Sequence, residues 1–88
     1  MQVLEAIYTE ARECTVVLRR AGLSEDAENL DTALYGATSG EVLSRLGYYL
    51  ATILKARPTL SKELRVRLAR LLEEIDRILK GSGWTVGE

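Results

Sequence analysis

The chain has 88 residues, which is enough for one domain and too few for a second independent hydrophobic core. Hydrophobic residues make up 47% of the sequence and charged residues 28%, a composition that excludes intrinsic disorder. Twelve basic and 13 acidic side chains leave a net charge of -1, which excludes an overall basic field for holding nucleic acid. We therefore expect one helical domain over residues 1–80 and a C-terminal tail, 81–88, that is flexible or docked.

Missing residue types limit the chemistry of the chain further. Cys14 is the only cysteine and histidine is absent, so we expect no intramolecular disulfide, no metal site and no histidine-based catalysis. The N-terminal segment lacks the features of a secretory signal, and no stretch approaches the ~20 apolar residues that span a bilayer. The sequence predicts a cytoplasmic protein without a membrane anchor, cofactor or evident small-molecule substrate.

Apolar residues in the first part of the chain repeat at spacings of three and four, as on one face of a helix. They predict a first helix over residues 2–21, ended by Gly22 in the left-handed conformation. Ser24 is expected to cap a second, short helix over 25–35, and Gly36 to end it. The apolar stripe of the first helix consists of Leu4, Ile7, Ala11, Cys14, Leu18 and Ala21.

A capping box marks the start of the third helix. Its form predicts that the Thr38 hydroxyl and the Glu41 carboxylate satisfy backbone amides at the helix start. Pro58 disfavours helical geometry at the residue before it, so the helix is predicted over 39–56.

The fourth helix carries the strongest apolar stripe and is predicted over 60–80, capped by Thr59 or Ser61. The stripe consists of Leu60, Leu64, Leu68, Leu71, Leu72, Ile75, Ile78 and Leu79. Acidic residues precede basic ones by four positions on this helix, an order that favours ion pairs. The predicted pairs are Glu63 with Arg67, Glu73 with Arg77, and Asp76 with Lys80.

These four segments predict an all-α protein, a compact irregular four-helix bundle. No run of alternating β-branched residues suggests a strand. Short connections favour antiparallel neighbours, and the second helix is too short for a regular coiled coil.

Charge is divided unevenly along the chain. Residues 1–44 carry a net charge of -5 and residues 45–88 a net charge of +4. The favoured interpretation is that helices of the two halves pack side by side, since exposed pairs contribute only about 0 to 1 kcal/mol each. The alternative is head-to-tail association with a second copy or an anionic partner. Small domains also leave apolar surface after packing, so we expect a homodimer.

Three aromatic residues are candidates for contact with a protein partner: Tyr35, Tyr48 and Trp84. Adjacent helical residues point about 100° apart, so Tyr48 and Tyr49 cannot both face the core. Exposed tyrosine and tryptophan are typical anchors of protein interfaces. The alternative is that each ring lies on the bundle and exposes only its polar tip.

A basic strip on the fourth helix and just before it is a candidate anion contact, formed by Arg57, Lys62, Arg65, Arg67 and Arg70. Together with the helix-turn-helix outline of the second and third helices, it suggests a weak nucleic-acid-binding regulator as an alternative function. The third helix offers one basic side chain, Arg45, in its first turns. The favoured interpretation of the strip is a solvated face, and nucleic acid is an unexpected partner.

No catalytic constellation is apparent in the remaining residues. Cys14 lies on an apolar stripe and is interpreted as a small buried hydrophobe. An acidic cluster at the start of the second helix lacks the spacing of a calcium loop and complements the positive helix end instead. The chain is therefore not expected to be an enzyme.

Short motifs of leucine, alanine and glycine recur along most of the chain. They are Ala21-Gly22-Leu23, Leu30-x-x-Ala33-Leu34, Gly36-x-x-Ser39-Gly40-Glu41-x-Leu43 and Leu64-x-x-x-Leu68-x-x-Leu71-Leu72-x-x-Ile75. In these motifs the chain is similar to small helical bacterial proteins without an assigned function. The resemblance implies an all-helical fold and indicates no active-site residues. We expect a non-enzymatic interaction module that forms a homodimer and binds another protein.

Overall fold

The computed structural model describes residues 3–81, which form four α-helices and no strand. The helices are α1 (Val3–Arg20), α2 (Ser24–Ala33), α3 (Ser39–Ala56) and α4 (Lys62–Gly81). The predicted all-α four-helix fold is confirmed. The predicted tail beyond Gly81, with Trp84, lies outside the described residues.

The helices follow one another around a ring in chain order, and α4 returns to pack against α1. α1 and α3 therefore lie diagonally across the bundle. α2 has 10 residues, against 18 in α1 and α3 and 20 in α4, so it covers only part of its neighbours. Among the four pairs of neighbouring helices, α1 and α4 make the least extensive contact, and a groove lies between them.

All four helices contribute to one buried core, as the apolar stripes predict. The buried hydrophobic residues are Ile7, Ala11, Cys14, Leu18, Ala27, Leu30, Ala33, Val42, Leu43, Leu46, Leu50, Ile53, Leu64, Leu68, Leu71, Ile75 and Leu79. Burying a large aliphatic side chain stabilises the fold by about 1.5 to 3 kcal/mol. Ala21, predicted to lie on the first apolar stripe, is exposed because it lies just beyond the end of α1.

The turn between α1 and α2 is closed by two backbone hydrogen bonds. Gly22 adopts a φ of 83° and donates to the Arg19 carbonyl, while Leu23 donates to the Leu18 carbonyl at 2.9 Å. This is the Schellman arrangement, and it confirms the left-handed Gly22. The prediction of Ser24 as the N-cap is wrong. The turn ends at Leu23, so α2 begins directly after it without a side-chain cap.

α2 ends at Ala33, two residues before the predicted end, because the backbone hydrogen bonds that follow join residues three positions apart. The amides of Tyr35 and Gly36 donate to carbonyls three residues earlier, those of Thr32 and Ala33. Gly36 follows the helix and packs closely against α3. A Cβ at this position would lie 2.9 Å from Cγ2 of Val42, so the contact itself requires glycine.

α3 spans the predicted residues, and its N-terminus is capped by side chains. The Thr38 hydroxyl accepts a hydrogen bond from the Glu41 amide at 3.1 Å, as the capping box predicts. The Glu41 carboxylate accepts from the amide of Ala37 at 3.1 Å, one residue before the expected donor. The box therefore forms with its second bond displaced along the chain.

α4 begins at Lys62, two residues after the predicted start. The Ser61 hydroxyl accepts from the Leu64 amide at 3.3 Å and so caps the helix, which settles the choice between Thr59 and Ser61. The helix ends with Gly81, which had been assigned to the tail.

Candidate protein interface

The α1–α4 groove is open to solvent and has a volume of about 520 Å³. Its floor is apolar, formed by buried Ile7 and Leu71, and its walls include two exposed apolar residues, Ala6 and Val66. Val66 is 39% exposed. Charged side chains line the rest of the groove, namely Glu10, Glu63, Arg67, Arg70 and Glu74.

A two-bond ion pair ties α1 to α4 inside this groove. Nε of Arg67 donates to Oε2 of Glu10 at 2.6 Å, and Nη2 donates to Oε1 at 3.0 Å. Nη2 also lies 3.6 Å from the Glu13 carboxylate. Such fork-to-fork geometry suits the planar guanidinium group and fixes its orientation. The predicted pairing of Arg67 with Glu63 is therefore wrong, because α1 supplies a better placed acceptor.

The hydrogen bond from Arg67 lowers the pKa of the Glu10 carboxyl below its ordinary value of 4.5, against an opposing effect of burial. The same bond raises the pKa of Arg67. A carboxyl whose pKa is lower in the folded state stabilises the fold above its unfolded pKa. This contribution is lost as the pH falls from about 4.5 through the lower folded-state value.

Replacing Arg67 by methionine is expected to remove this pH-dependent contribution. Both side chains are about one-third exposed, so the effect is limited to about 1 kcal/mol at pH 7. The difference in free energy of unfolding between wild type and Arg67→Met should shrink between pH 7 and pH 3, as measured by urea denaturation. Arg77→Met, at an exposed pair, is the matched control. A difference that stays constant with pH would contradict the assignment.

Elsewhere on α4, one predicted ion pair is confirmed and one is wrong. Lys80 contacts Asp76 at 2.8 Å, as predicted. Arg77 contacts Glu74 at 3.0 Å and not Glu73, because a residue three positions earlier is also a neighbour on the helix surface.

Two of the five predicted anion-contact residues are engaged near the start of α4. Nε of Arg57 donates to Oδ2 of Asp26 at 2.9 Å, which joins the end of α3 to the start of α2. Arg65 donates to the backbone carbonyls of Arg57 at 3.1 Å and of Pro58 at 2.6 Å. The Arg57 guanidinium therefore ties the α3–α4 connection to α2, and the Arg65 guanidinium bonds to the connection itself.

Arg67 is the third engaged residue of the basic strip, since it binds Glu10. Lys62 and Arg70 are exposed and form no salt bridge with another residue in the range 3–81. The five residues therefore do not form a continuous unpaired basic surface. The pairs between Arg57 and Asp26 and between Arg67 and Glu10 join the two oppositely charged halves, as the favoured interpretation predicted.

The outward side of α3 presents an aromatic residue between basic ones. We call Arg45, Tyr48, Thr52 and Lys55 the Tyr48 face, because they are exposed and recur at spacings of three and four. Arg45 pairs with Glu41 at 2.6 Å, and Lys55 makes no salt bridge within the described part of the chain.

Two of the three predicted aromatic contact residues, Tyr35 and Tyr48, lie within the described residues, and both are exposed. Tyr48 is 58% exposed, and its ring meets the half-buried ring of Tyr49 edge to face, with centroids 5.4 Å apart. Tyr35 is 80% exposed in the turn after α2. Trp84, the third candidate, lies outside the described residues.

Cys14 is fully buried in the core, as predicted for a small hydrophobe. Burial, aided by the Glu10 charge, raises the pKa of its thiol to about 11. We expect Cys14 to react with a thiol reagent at pH 8 on the order of 100-fold more slowly in the native protein than in urea, because reaction requires opening of the core. Equal rates in the two states would contradict the burial.

Within residues 3–81, no group of three or more cysteine, aspartate and glutamate side chains is arranged to hold a metal ion. None of the helices in that range is sufficiently long and apolar to traverse a membrane. No protein-family model matches the chain, and no curated protein or solved structure matches it.

Proposed function

We propose that this protein is a non-enzymatic cytoplasmic interaction module that binds a protein partner through the Tyr48 face. The observation that carries the proposal is the exposure of Tyr48, at 58%, on a bundle that buries most of its other large apolar side chains. Tyrosine is enriched among the residues that dominate binding energy in interfaces, because it offers a large apolar ring with a polar end.

The position of Tyr48 favours binding energetically. The residue lies in the middle of α3, and its ring rests edge-on against Tyr49, which packs on the core. A side chain that is already ordered loses less conformational entropy when a partner binds. Tyr48 therefore offers a preorganised contact.

The charges around Tyr48 define the chemistry of the partner. Arg45 and Lys55 flank the ring along the same side of α3, and Glu41 neutralises Arg45 in part. An acidic protein segment that places an apolar residue on the Tyr48 ring would complement this surface. Such rim charges act mainly on the association rate, so binding should weaken as salt is raised.

Site-specific photo-crosslinking in cells tests the proposal. The photoreactive residue benzoyl-phenylalanine at Tyr48 is expected to form an adduct with one acidic protein, while the same residue at exposed Thr32 on α2 forms none. Adding Lys55→Glu to the crosslinking variant should lower the adduct yield. Adducts of equal yield from both positions, or none from Tyr48, would reject the proposal.

A weak nucleic-acid-binding regulator using α3 or the basic strip is the second candidate, and it has less support. Arg57, Arg65 and Arg67 already make intramolecular bonds, which leaves Lys62 and Arg70 for phosphate contacts. Few such contacts give weak, strongly salt-dependent binding. Salt-sensitive DNA binding that is lost on removing charge at Lys62 and Arg70 would favour this candidate over protein binding.

A further inference from the structure

We infer that the α1–α4 groove is the site where two copies of this chain associate, with α4 of one copy antiparallel to α4 of the other. α1 and α3 lie diagonally across the bundle, so this surface is distinct from the Tyr48 face. The inference therefore stands independently of the proposed function.

The first observation is that two charged residues of the groove have no salt-bridge partner within residues 3–81. Three of its five charged residues are paired, Glu10 with Arg67, and Glu74 with Arg77 outside the groove. Glu63 and Arg70 form no salt bridge with any other residue between positions 3 and 81. The groove thus carries one unmatched acid and one unmatched base on the same helix.

The spacing of these two residues makes the surface complementary to itself. Glu63 and Arg70 are seven positions apart, so they lie on one side of α4 about 10.5 Å apart along its axis. A two-fold axis passing between Val66 and Arg67 places Glu63 of each copy opposite Arg70 of the other copy. A parallel arrangement would instead bring like charges together. The charge pattern therefore selects the antiparallel arrangement.

Apolar surface lies where this axis would pass. Val66 sits between Glu63 and Arg70 and is 39% exposed, beside exposed Ala6 on α1. In the antiparallel pair, Val66 of each copy covers apolar wall of the other groove, while the Glu63 and Arg70 pairs flank it. A small domain that retains apolar surface after folding is suited to such self-association.

A reciprocal charge exchange tests this arrangement by analytical ultracentrifugation over a concentration series. Wild type is expected to sediment as a dimer at high concentration. Glu63→Arg alone and Arg70→Glu alone each create two like-charge contacts and should weaken dimerisation at least about tenfold. The double variant, which exchanges the two charges, should restore it. An equal mixture of the two single variants should also restore it, because the heterodimer pairs opposite charges at both contacts.

Matched controls carry the same charge changes on other faces. Glu25→Arg on α2 and Arg12→Glu on the outer side of α1, both exposed, should leave dimerisation unchanged. Circular dichroism verifies that every variant retains its helices. A dimer weakened equally by the control changes would show only a net-charge effect and would overturn the inference.

Two further outcomes would also overturn the inference. One is wild type that sediments as a monomer at all concentrations. The other is a double variant, or a mixture, that dimerises no better than the single variants. If wild type is a monomer, the fluorescence of the single tryptophan, Trp84, tests whether the C-terminal segment of the same chain occupies the groove instead. Fluorescence protected from iodide, and made accessible by Val66→Arg, would assign the groove to the C-terminal segment of the same chain.

Discussion

Replacing Leu68 by alanine is expected to lower the free energy of unfolding by about 2 to 5 kcal/mol. Leu68 is fully buried at the centre of the α4 stripe, within the core cluster that all four helices share. The variant loses the transfer free energy of the deleted atoms and leaves a cavity that a close-packed interior fills only in part. Urea denaturation monitored by circular dichroism measures the change.

Val16→Ala is the control for Leu68→Ala. Val16 is 45% exposed on α1, so its truncation should change the free energy of unfolding by less than about 1 kcal/mol. If Leu68→Ala were no more destabilising than Val16→Ala, the core described for α4 would be wrong.

Replacing Gly36 by alanine is expected to destabilise the fold by about 1 to 3 kcal/mol. The added Cβ would lie 2.9 Å from Cγ2 and 3.2 Å from the amide nitrogen of Val42. Val42 is buried, and its β-branched side chain has few alternative rotamers, so the backbone turn between α2 and α3 must shift. The lower entropy of the unfolded alanine chain offsets only part of this cost. Thermal and urea denaturation both report the loss.

Gly81→Ala provides the comparison for Gly36→Ala. A Cβ at Gly81 meets nothing within 4 Å, and the residue ends α4, so the exchange should alter stability by no more than about 1 kcal/mol. A Gly36→Ala variant as stable as wild type would mean that the α2–α3 turn is not tightly packed.

The fold could be predicted because its determinants are local in sequence. Leucines at spacings of three and four define which side of α4 is buried, whatever that helix packs against. Thr38 and Pro58 likewise mark the ends of α3 through hydrogen bonding and steric effects that involve only near neighbours. Such signals predicted the bounds of α3 without error.

Local rules failed where a distant part of the chain offers a better partner. The i, i+4 rule assigned Arg67 to Glu63, but Glu10, 57 positions earlier, lies across from it on α1. Likewise, Ser24 has the ideal residue type for a cap. The Schellman turn nevertheless leaves Leu23 in the cap position. Helix packing and turn geometry decided both cases, and neither can be read from residue type alone.

The α1–α4 groove also escaped prediction, because it depends on the limited contact between two helices that are distant in sequence. The sequence does contain one signal for it. Val66 is an apolar residue on the polar side of α4, between Glu63 and Arg70. By contrast, exposure of one of the two adjacent tyrosines followed directly from the angle between successive helical residues.

Native-state hydrogen exchange followed by NMR most directly tests whether α1, α3 and α4 share one cooperative core. The amides of Leu18 in α1, Leu46 in α3 and Leu68 in α4 are expected to exchange only through global unfolding. Their protection should therefore give one common free energy, equal to that from urea denaturation. Much weaker protection of any one of these helices would contradict a single shared core.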